Sequence, residues 1–430
     1  MLNVKSFLRS PYSTRLNHQD LEDFKKLTKI FPFKVSKYVL DELIDWSAYR
    51  DDPIFRLVFP VREMLEERHW ELLNSANSPE EEREVIKRIR YDLNPHPSGQ
   101  QKNIPRWRGR ELGGLQHKYR ETVLFFPAQG QTCHTYCTYC FRWAQFVNLD
   151  EHKFRSKDAA LLRDYLAAHT EVSDLLFTGG DPMHMSNKHF FEYLDILMDP
   201  ELEHVQNIRI GTKALAYYPM RFLGAEGEIF LQKLKSLRES GRHIALMAHF
   251  SHPRELQTAT VRQAVEAIRQ AGVTIRTQSP LVRPVNANAD VWADMWREQV
   301  KMDMIPYYMF VERDTGAHGY FSVPLAEALE IYNKAMASVS GLIKTVRGPS
   351  MSADPGKVLV DGLIEVGGKK LFVLKFIQAR NRDEINKIFF AEYDPRATWW
   401  DELKLIDFDA VTERTFQPAK RMRRHFLPRH

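Results

Sequence analysis

The chain has 430 residues, 43% of them hydrophobic, with a formal net charge of +5 at pH 7. That length supports one elaborated domain or two ordinary ones. No apolar run approaches a bilayer span, and the amino-terminal MLNVKSFLRSPYSTR lacks the unbroken hydrophobic stretch of a secretory signal, so a soluble, cytoplasmic protein without a membrane partner is expected.

In chain order, residues 1–110 read as a helical region with charged stretches such as EEEREVIKRIR, ending in the Pro-rich connection LNPHPSGQQKNIP. From about residue 120, short β-branched and aromatic runs alternate with helix-length amphipathic ones. TVLFFPA, DLLFTGG, NIRIGT, HIALMAHF, GVTIRTQS and IPYYMFV are the expected strands. SKDAALLRDYLAAHT, SNKHFFEYLDILM, EIFLQKLKSLRES and PRELQTATVRQAVEAIRQAG are helices between them. A strand followed by a helix, repeated, implies parallel pairing, because each crossover returns the chain before the next strand begins. The expected fold is α/β: a partial (β/α)6 barrel over residues 111–348, behind the helical amino-terminal region. Residues 349–430 form a small β-rich extension with a hairpin turning at Gly367 and Gly368. The extension ends in a basic tail, KRMRRHFLPRH, read first as solvated and second as a contact for phosphate or an acidic partner. The charge is otherwise small and mixed along the chain, which argues against nucleic acid.

All three cysteines, Cys133, Cys137 and Cys140, fall in QTCHTYCTYCFRW, after the first expected barrel strand. An odd, clustered set cannot form a disulfide framework. Three thiolates spaced C-x3-C-x2-C converge on one centre. Zinc is one candidate, although a closed zinc site wants four ligands and His134 is awkwardly placed to supply the last. A [4Fe-4S] cluster is the other, where three thiolates leave one iron open. The turn Gly179, Gly180, Asp181, Pro182 ends the next strand, so both features lie on the carboxyl rim, where βα loops carry function.

The C-x3-C-x2-C spacing with Tyr139 before the last cysteine resembles the signature of the radical S-adenosylmethionine enzymes. The resemblance implies that the open iron is chelated by the methionine part of S-adenosylmethionine, and that Tyr139 lies against its adenine. It also implies that Gly179 and Gly180 let the backbone approach the methionine ammonium, with neighbouring carbonyls and Asp181 accepting its hydrogen bonds. An external electron donor of the flavodoxin or ferredoxin type goes with such chemistry.

GLQHKYRETVLFF, FTGGDPM, IRIGTKALAYYPMRF, MAHFSHPREL, TQSPLVRPVN and IPYYMF are similar, in order and spacing, to segments of the lysine 2,3-aminomutase family, over roughly residues 90–360. That resemblance implies an isomerase, an amino acid 2,3-aminomutase that also uses pyridoxal 5'-phosphate and moves the α-amino group of a small-molecule amino acid to Cβ. By the match, Lys357 in GPSMSADPGKVLV holds pyridoxal, Lys118 in HKYR meets its phosphate, and Arg142 clamps the substrate carboxylate. His249 and His252, like Gln278 and Ser279, are read either as core residues or as lining for cofactor and substrate. Two positions depart from the family: its aspartates for the lysine ammonium are replaced by Ala287 and Ser350, so Asp290, Glu312 or Asp314 substitutes or the substrate differs. The family's zinc-binding carboxyl-terminal cysteines are absent as well. The alternative reading keeps the radical machinery, with or without pyridoxal, on another small molecule or a protein lysine. A third is a zinc-binding interaction protein. A homo-oligomer is expected from the family.

Overall fold

The β-branched and aromatic runs form strands, and the amphipathic runs form helices, in a computed structural model that describes residues 1–94, 100–147 and 154–406. The basic tail lies outside the described residues. Eleven strands make one mixed sheet in which neighbours follow chain order. They are β1 (Leu115–Tyr119), β2 (Thr122–Phe125), β3 (Asp174–Phe177), β4 (Asn207–Thr212), β5 (His243–His249), β6 (Thr274–Leu281), β7 (Ile305–Val311), β8 (Arg347–Ser352), β9 (Gly356–Val366), β10 (Lys369–Ala379) and β11 (Ile388–Glu392). Strands β2 to β8 pair in parallel. The four remaining pairings, β1 with β2 and β8 through β11, are antiparallel.

Each parallel step is made by a helix: α1 (Ala159–Ala168), α2 (Asn187–Asp195), α3 (Gly224–Glu239), α4 (Ala259–Gln270), α5 (Ala289–Lys301) and α6 (Leu325–Ala337). Three of them start at side chains that satisfy the first free N–H groups. Asp158 accepts from Leu161 N at 2.8 Å to start α1, and Thr258 from Val261 N at 3.2 Å to start α4. Helix α4 buries Val261, Ala264, Val265 and Ile268, the i, i+3, i+4, i+7 stripe of a helix packed on a sheet. Truncating Ile268 to Ala would cost about 2–5 kcal/mol through lost burial and the cavity left behind.

Among the sheet strands that went unforeseen, which include β11, two have a physical reason. β1 reads LQHKY because Gln116 and Lys118 face an interior cavity rather than an apolar core. β8 reads RGPSMS, and its glycine and proline hide a seventh parallel strand beyond the six foreseen. The carboxyl-terminal hairpin turns as expected: Gly367 and Gly368 both take positive φ, 58° and 72°, as a tight hairpin turn requires.

The amino-terminal region is a set of short helices whose aromatic knot shares the core of the sheet. Phe24 and Phe33 meet edge to face at 4.7 Å, and one hydrophobic cluster runs from Phe7 to Val346. A second cluster, with Phe372, Phe389 and Trp400, lies under the β9–β11 meander. The sheet curls enough that Lys118 on β1 bonds the carbonyl of Ala353, just past β8, and Glu121 pairs with Arg382 at 3.4 Å.

Candidate active site

Parallel strands deliver the loops that follow them to one rim. There a cavity of about 390 Å³ opens, walled by residues from β1 through β10. Cys133, Cys137 and Cys140 line it. Their loop is folded by Cys140 N donating to Cys137 O at 3.2 Å, and is braced from outside by the amino-terminal region. Tyr136 N donates to Lys34 O and Thr138 N to Leu57 O, both at 2.9 Å. Ser36 N donates to Thr135 Oγ1 at 2.9 Å. These backbone bonds have no periodic signature, so the sequence gives no hint that residues 34–57 shape the cysteine loop.

Burial pushes the Cys140 thiol up to about 12 and raises Cys133 and Cys137 in the same direction. The thiols therefore hold their protons until a cation replaces them. His134 turns its ring onto Tyr218, stacked at 4.6 Å. Among the described residues, no three His, Cys, Asp or Glu side chains gather as ligands of a single metal ion. A cubane needs less convergence, because each thiolate takes its own iron corner, and three half-buried thiols on one wall suit it.

The glycines after β3 are required by close approach. Gly179 has φ +145°, and a Cβ on Gly180 would stand 2.5 Å from Thr132 N in the cysteine loop. Asp181 N then donates to Gly130 O at 3.0 Å and to Thr132 O at 2.8 Å, tying the two loops together. Asp181, expected to accept from the methionine ammonium, lines the cavity beside these glycines. Its carboxylate is buried and already accepts from Thr212 Oγ1 at 2.7 Å, Lys213 N at 3.0 Å and Met183 N at 2.9 Å. Burial raises its pKa to about 6 against those donors. Pro182 opens a buried turn outside the cavity lining. Gly179 and Gly180 line the cavity.

Tyr139, His249 and Gln278 line the same cavity. Tyr139 bonds Ser251 Oγ at 3.0 Å, and Gln278 Nε2 meets His249 Nε2 at 2.8 Å. Burial drops His249 to about 3, so its ring is neutral and accepts from that amide. Of the two readings of Ser279 the structure shows the core one: strand alternation turns it away from the cavity lining, fully buried, with Oγ donating to Ser251 Oγ at 3.1 Å. His252 also stays outside, accepting from Arg254 N. A buried pair the sequence did not flag, Lys213 and Glu255 at 2.8 Å, stands behind this wall.

On the facing side, Lys357 starts β9 and lines the cavity with Nζ 4.0 Å from the ring centre of Tyr308. Burial, reinforced by Arg209, Arg347 and Lys118, holds its pKa well below the usual lysine range. No carboxylate is within ion-pair reach of it among the described residues. Among the described residues the buried Tyr308 hydroxyl has no hydrogen-bond partner within normal geometry. Lys118 lines the cavity too, its pKa pulled down to about 7 by burial, with Nζ on the carbonyl of Ala353. Arg142 is a cavity residue whose Nη1 donates to Gly179 O at 3.1 Å, its guanidinium 4.6 Å from the Phe126 ring centre. Arg313, unremarked in the sequence, joins it from the loop after β7. Its only signal there is a position just past a rim strand.

Of the acids offered as replacements for the missing aspartates, Glu312 alone lines the cavity. Its Oε2 meets His318 Nδ1 at 2.8 Å, its Oε1 has no partner, and burial raises its pKa to about 7. Asp290 is exposed at the start of α5, and Asp314 is not part of the lining. Neither Ala287 nor Ser350 reaches the cavity; the Ser350 hydroxyl is 3.5 Å from Met309 O.

A cavity lined by three thiols and several cations, on the carboxyl rim of a parallel sheet, is the mark of an enzyme. No protein-family model matches the chain. It is 29% identical over 399 residues to a protein of Aquifex aeolicus (strain VF5) named "Putative L-lysine 2,3-aminomutase", covering 93% of this chain and 95% of that one. It is 29% identical over 248 residues to the L-lysine 2,3-aminomutase of Escherichia coli (strain K12), 58% of this chain and 68% of that one. A third relative, the glutamate 2,3-aminomutase of Clostridioides difficile (strain 630), is 27% identical over 212 residues, 49% of this chain and 47% of that one. The chain is thus similar, over most of its length, to proteins named lysine 2,3-aminomutase.

Proposed function

We propose that this chain is an amino acid 2,3-aminomutase that uses a [4Fe-4S] cluster, S-adenosylmethionine and pyridoxal 5'-phosphate, its curled sheet acting as a partial barrel around them. One observation carries the reading: a single cavity has three half-buried thiols on one wall and, on the other, a half-buried lysine amine with no ion pair among the described residues, with an arginine lacking a carboxylate partner among the described residues in the same lining. When bound, the cluster and S-adenosylmethionine supply a 5'-deoxyadenosyl radical, and pyridoxal holds the amino group that migrates.

The chain's own residues do the rest. Cys133, Cys137 and Cys140 would hold the cluster, and Gly179 and Gly180, which let their loop pack on the cysteine loop, would leave room for the methionine part of S-adenosylmethionine. Tyr139, His249 and Gln278 offer neutral surface to adenosine. Lys357, low in pKa, stands as the free amine that a carbonyl cofactor needs. Lys118 supplies charge for its phosphate, and Arg142 the planar fork that suits an α-carboxylate. The apolar walls, Phe310 and Tyr308 among them, exclude water from the reacting atoms.

The test has two arms. Anaerobic reconstitution should give iron and sulfide uptake with cleavage of S-adenosylmethionine, and borohydride should fix pyridoxal on Lys357 in the wild type but not in Lys357→Ala. Cleavage without trapped pyridoxal would rule out this reading in favour of a family member without that cofactor.

A further inference from the structure

Two buried cations of the cavity pair with acids behind it: Arg209 with Asp174 at 2.8 Å and Lys213 with Glu255 at 2.8 Å. Arg142 and Arg313 do not. Their guanidinium carbons lie 5.2 Å and 4.8 Å from the ring centre of Phe141. The side-chain bonds they make go to backbone carbonyls, Arg142 to Gly179 O at 3.1 Å and Arg313 to Ser352 O at 2.8 Å. Among the described residues neither has a carboxylate within ion-pair reach. Burial lowers the pKa of Arg313, while Asp314, its neighbour in sequence, attracts it without forming an ion pair.

The acids in the lining do not neutralise them. Asp181 is filled by its own donors, and Asp354 is shared between Arg380 at 3.0 Å and Lys102 at 3.1 Å. Glu312 is engaged by His318, and its raised pKa leaves it partly protonated near neutral pH. A side-chain ammonium entering this cavity would meet two uncompensated guanidinium groups and one weak acid. A side-chain carboxylate would meet a planar fork with free donors.

We infer that Arg142 and Arg313 form a two-point oxyanion clamp and that the substrate is an acidic α-amino acid, its α-carboxylate on Arg142 and its side-chain carboxylate on Arg313. The inference rests on the aminomutase reading. Its chemistry is shared by one other oxyanion, the phosphate of a bound cofactor, and the test separates the two.

Calorimetry on the purified full chain, with and without added pyridoxal 5'-phosphate, would titrate L-glutamate, L-aspartate, L-lysine and inorganic phosphate into wild type, Arg313→Gln and Arg313→Lys. At least one acidic amino acid should bind ten-fold or more tighter than L-lysine, about 1.4 kcal/mol. Arg313→Gln should erase that preference while leaving L-lysine within two-fold, and Arg313→Lys should restore part of it. Tighter binding of L-lysine overturns the inference, as does no binding of either acid in both forms. So does an Arg313→Gln variant that loses phosphate or pyridoxal 5'-phosphate but keeps its preference for acids, which assigns Arg313 to the cofactor. The aminomutase reading fails separately, by the absence of pyridoxal fixed on Lys357 in the wild type, whatever the amino acid titrations give.

Discussion

The two walls of the cavity are built on opposite principles. On the cysteine wall most polar groups satisfy one another, His134 Nδ1 and Gln131 Oε1 excepted among the described residues: Asp181 is filled by Thr212, Lys213 and Met183, and the cysteine loop is stitched to Lys34 and Leu57. On the lysine wall they are left open, with Lys357 over an aromatic ring, the Tyr308 hydroxyl without a hydrogen-bond partner among the described residues and Arg313 short of a counter-ion. A closed network fixes geometry, as a cluster that directs an electron requires, and open valences mark where a ligand completes the chemistry. Substitutions on the first wall should therefore act on structure and on the cluster together. On the second they should act on ligands while leaving the fold intact.

The largest effect is expected at the thiols. Serine at Cys133, Cys137 or Cys140 should remove bound iron and S-adenosylmethionine cleavage to background, measured by iron analysis and 5'-deoxyadenosine release. Lys357→Ala should abolish trapped pyridoxal yet leave iron content and the cleavage rate within about two-fold, which is the contrast between the walls stated as an assay. Asp181→Ala comes next: it strips the acceptor from Thr212 Oγ1 and two backbone N–H groups, costing about 3 kcal/mol in denaturant unfolding and lowering iron uptake. If Asp181→Ala kept full stability, the closed-network description of that wall would be wrong.

The pH dependence of the lysine wall has a definite sign. Lys118 falls to about 7 in the folded protein and returns to the ordinary lysine value when unfolded. The unfolded chain then binds more protons between those values, so stability without ligands rises as pH rises from about 7 toward 10. Lys118→Met should flatten that rise in melting temperature. The smallest effect is expected at Ser279→Ala, whose hydroxyl only donates behind the cavity. It should shift affinity for S-adenosylmethionine by less than two-fold, and a larger shift would return Ser279 to the site.

Much of the scaffold was legible because its signals are local. Alternating β-branched runs, a three-cysteine spacing and a Gly-Gly-Asp-Pro turn each depend on residues a few positions apart. What escaped depends on distance in sequence. β1 carries no alternating apolar signal because its inward residues face a cavity, and Gln278 and Ser279 could not be told apart until the strand's register assigned them opposite faces. The bracing of the cysteine loop by Lys34 and Leu57 spans about a hundred positions through backbone atoms that carry no residue code. Arg313 is written plainly in the sequence, but its lack of a counter-ion is a property of the folded cavity alone.

The most direct test of the central claim, that one cavity joins the radical source to an amino acid held near Lys357, follows a hydrogen atom. Reconstituted enzyme would be given amino acids deuterated at Cβ, glutamate, aspartate and lysine in turn, with S-adenosylmethionine and reductant. The expected result is deuterium in the 5'-deoxyadenosyl group together with the β-amino isomer of the labelled substrate. Sustained cleavage of S-adenosylmethionine with no deuterium transferred from any amino acid would contradict it.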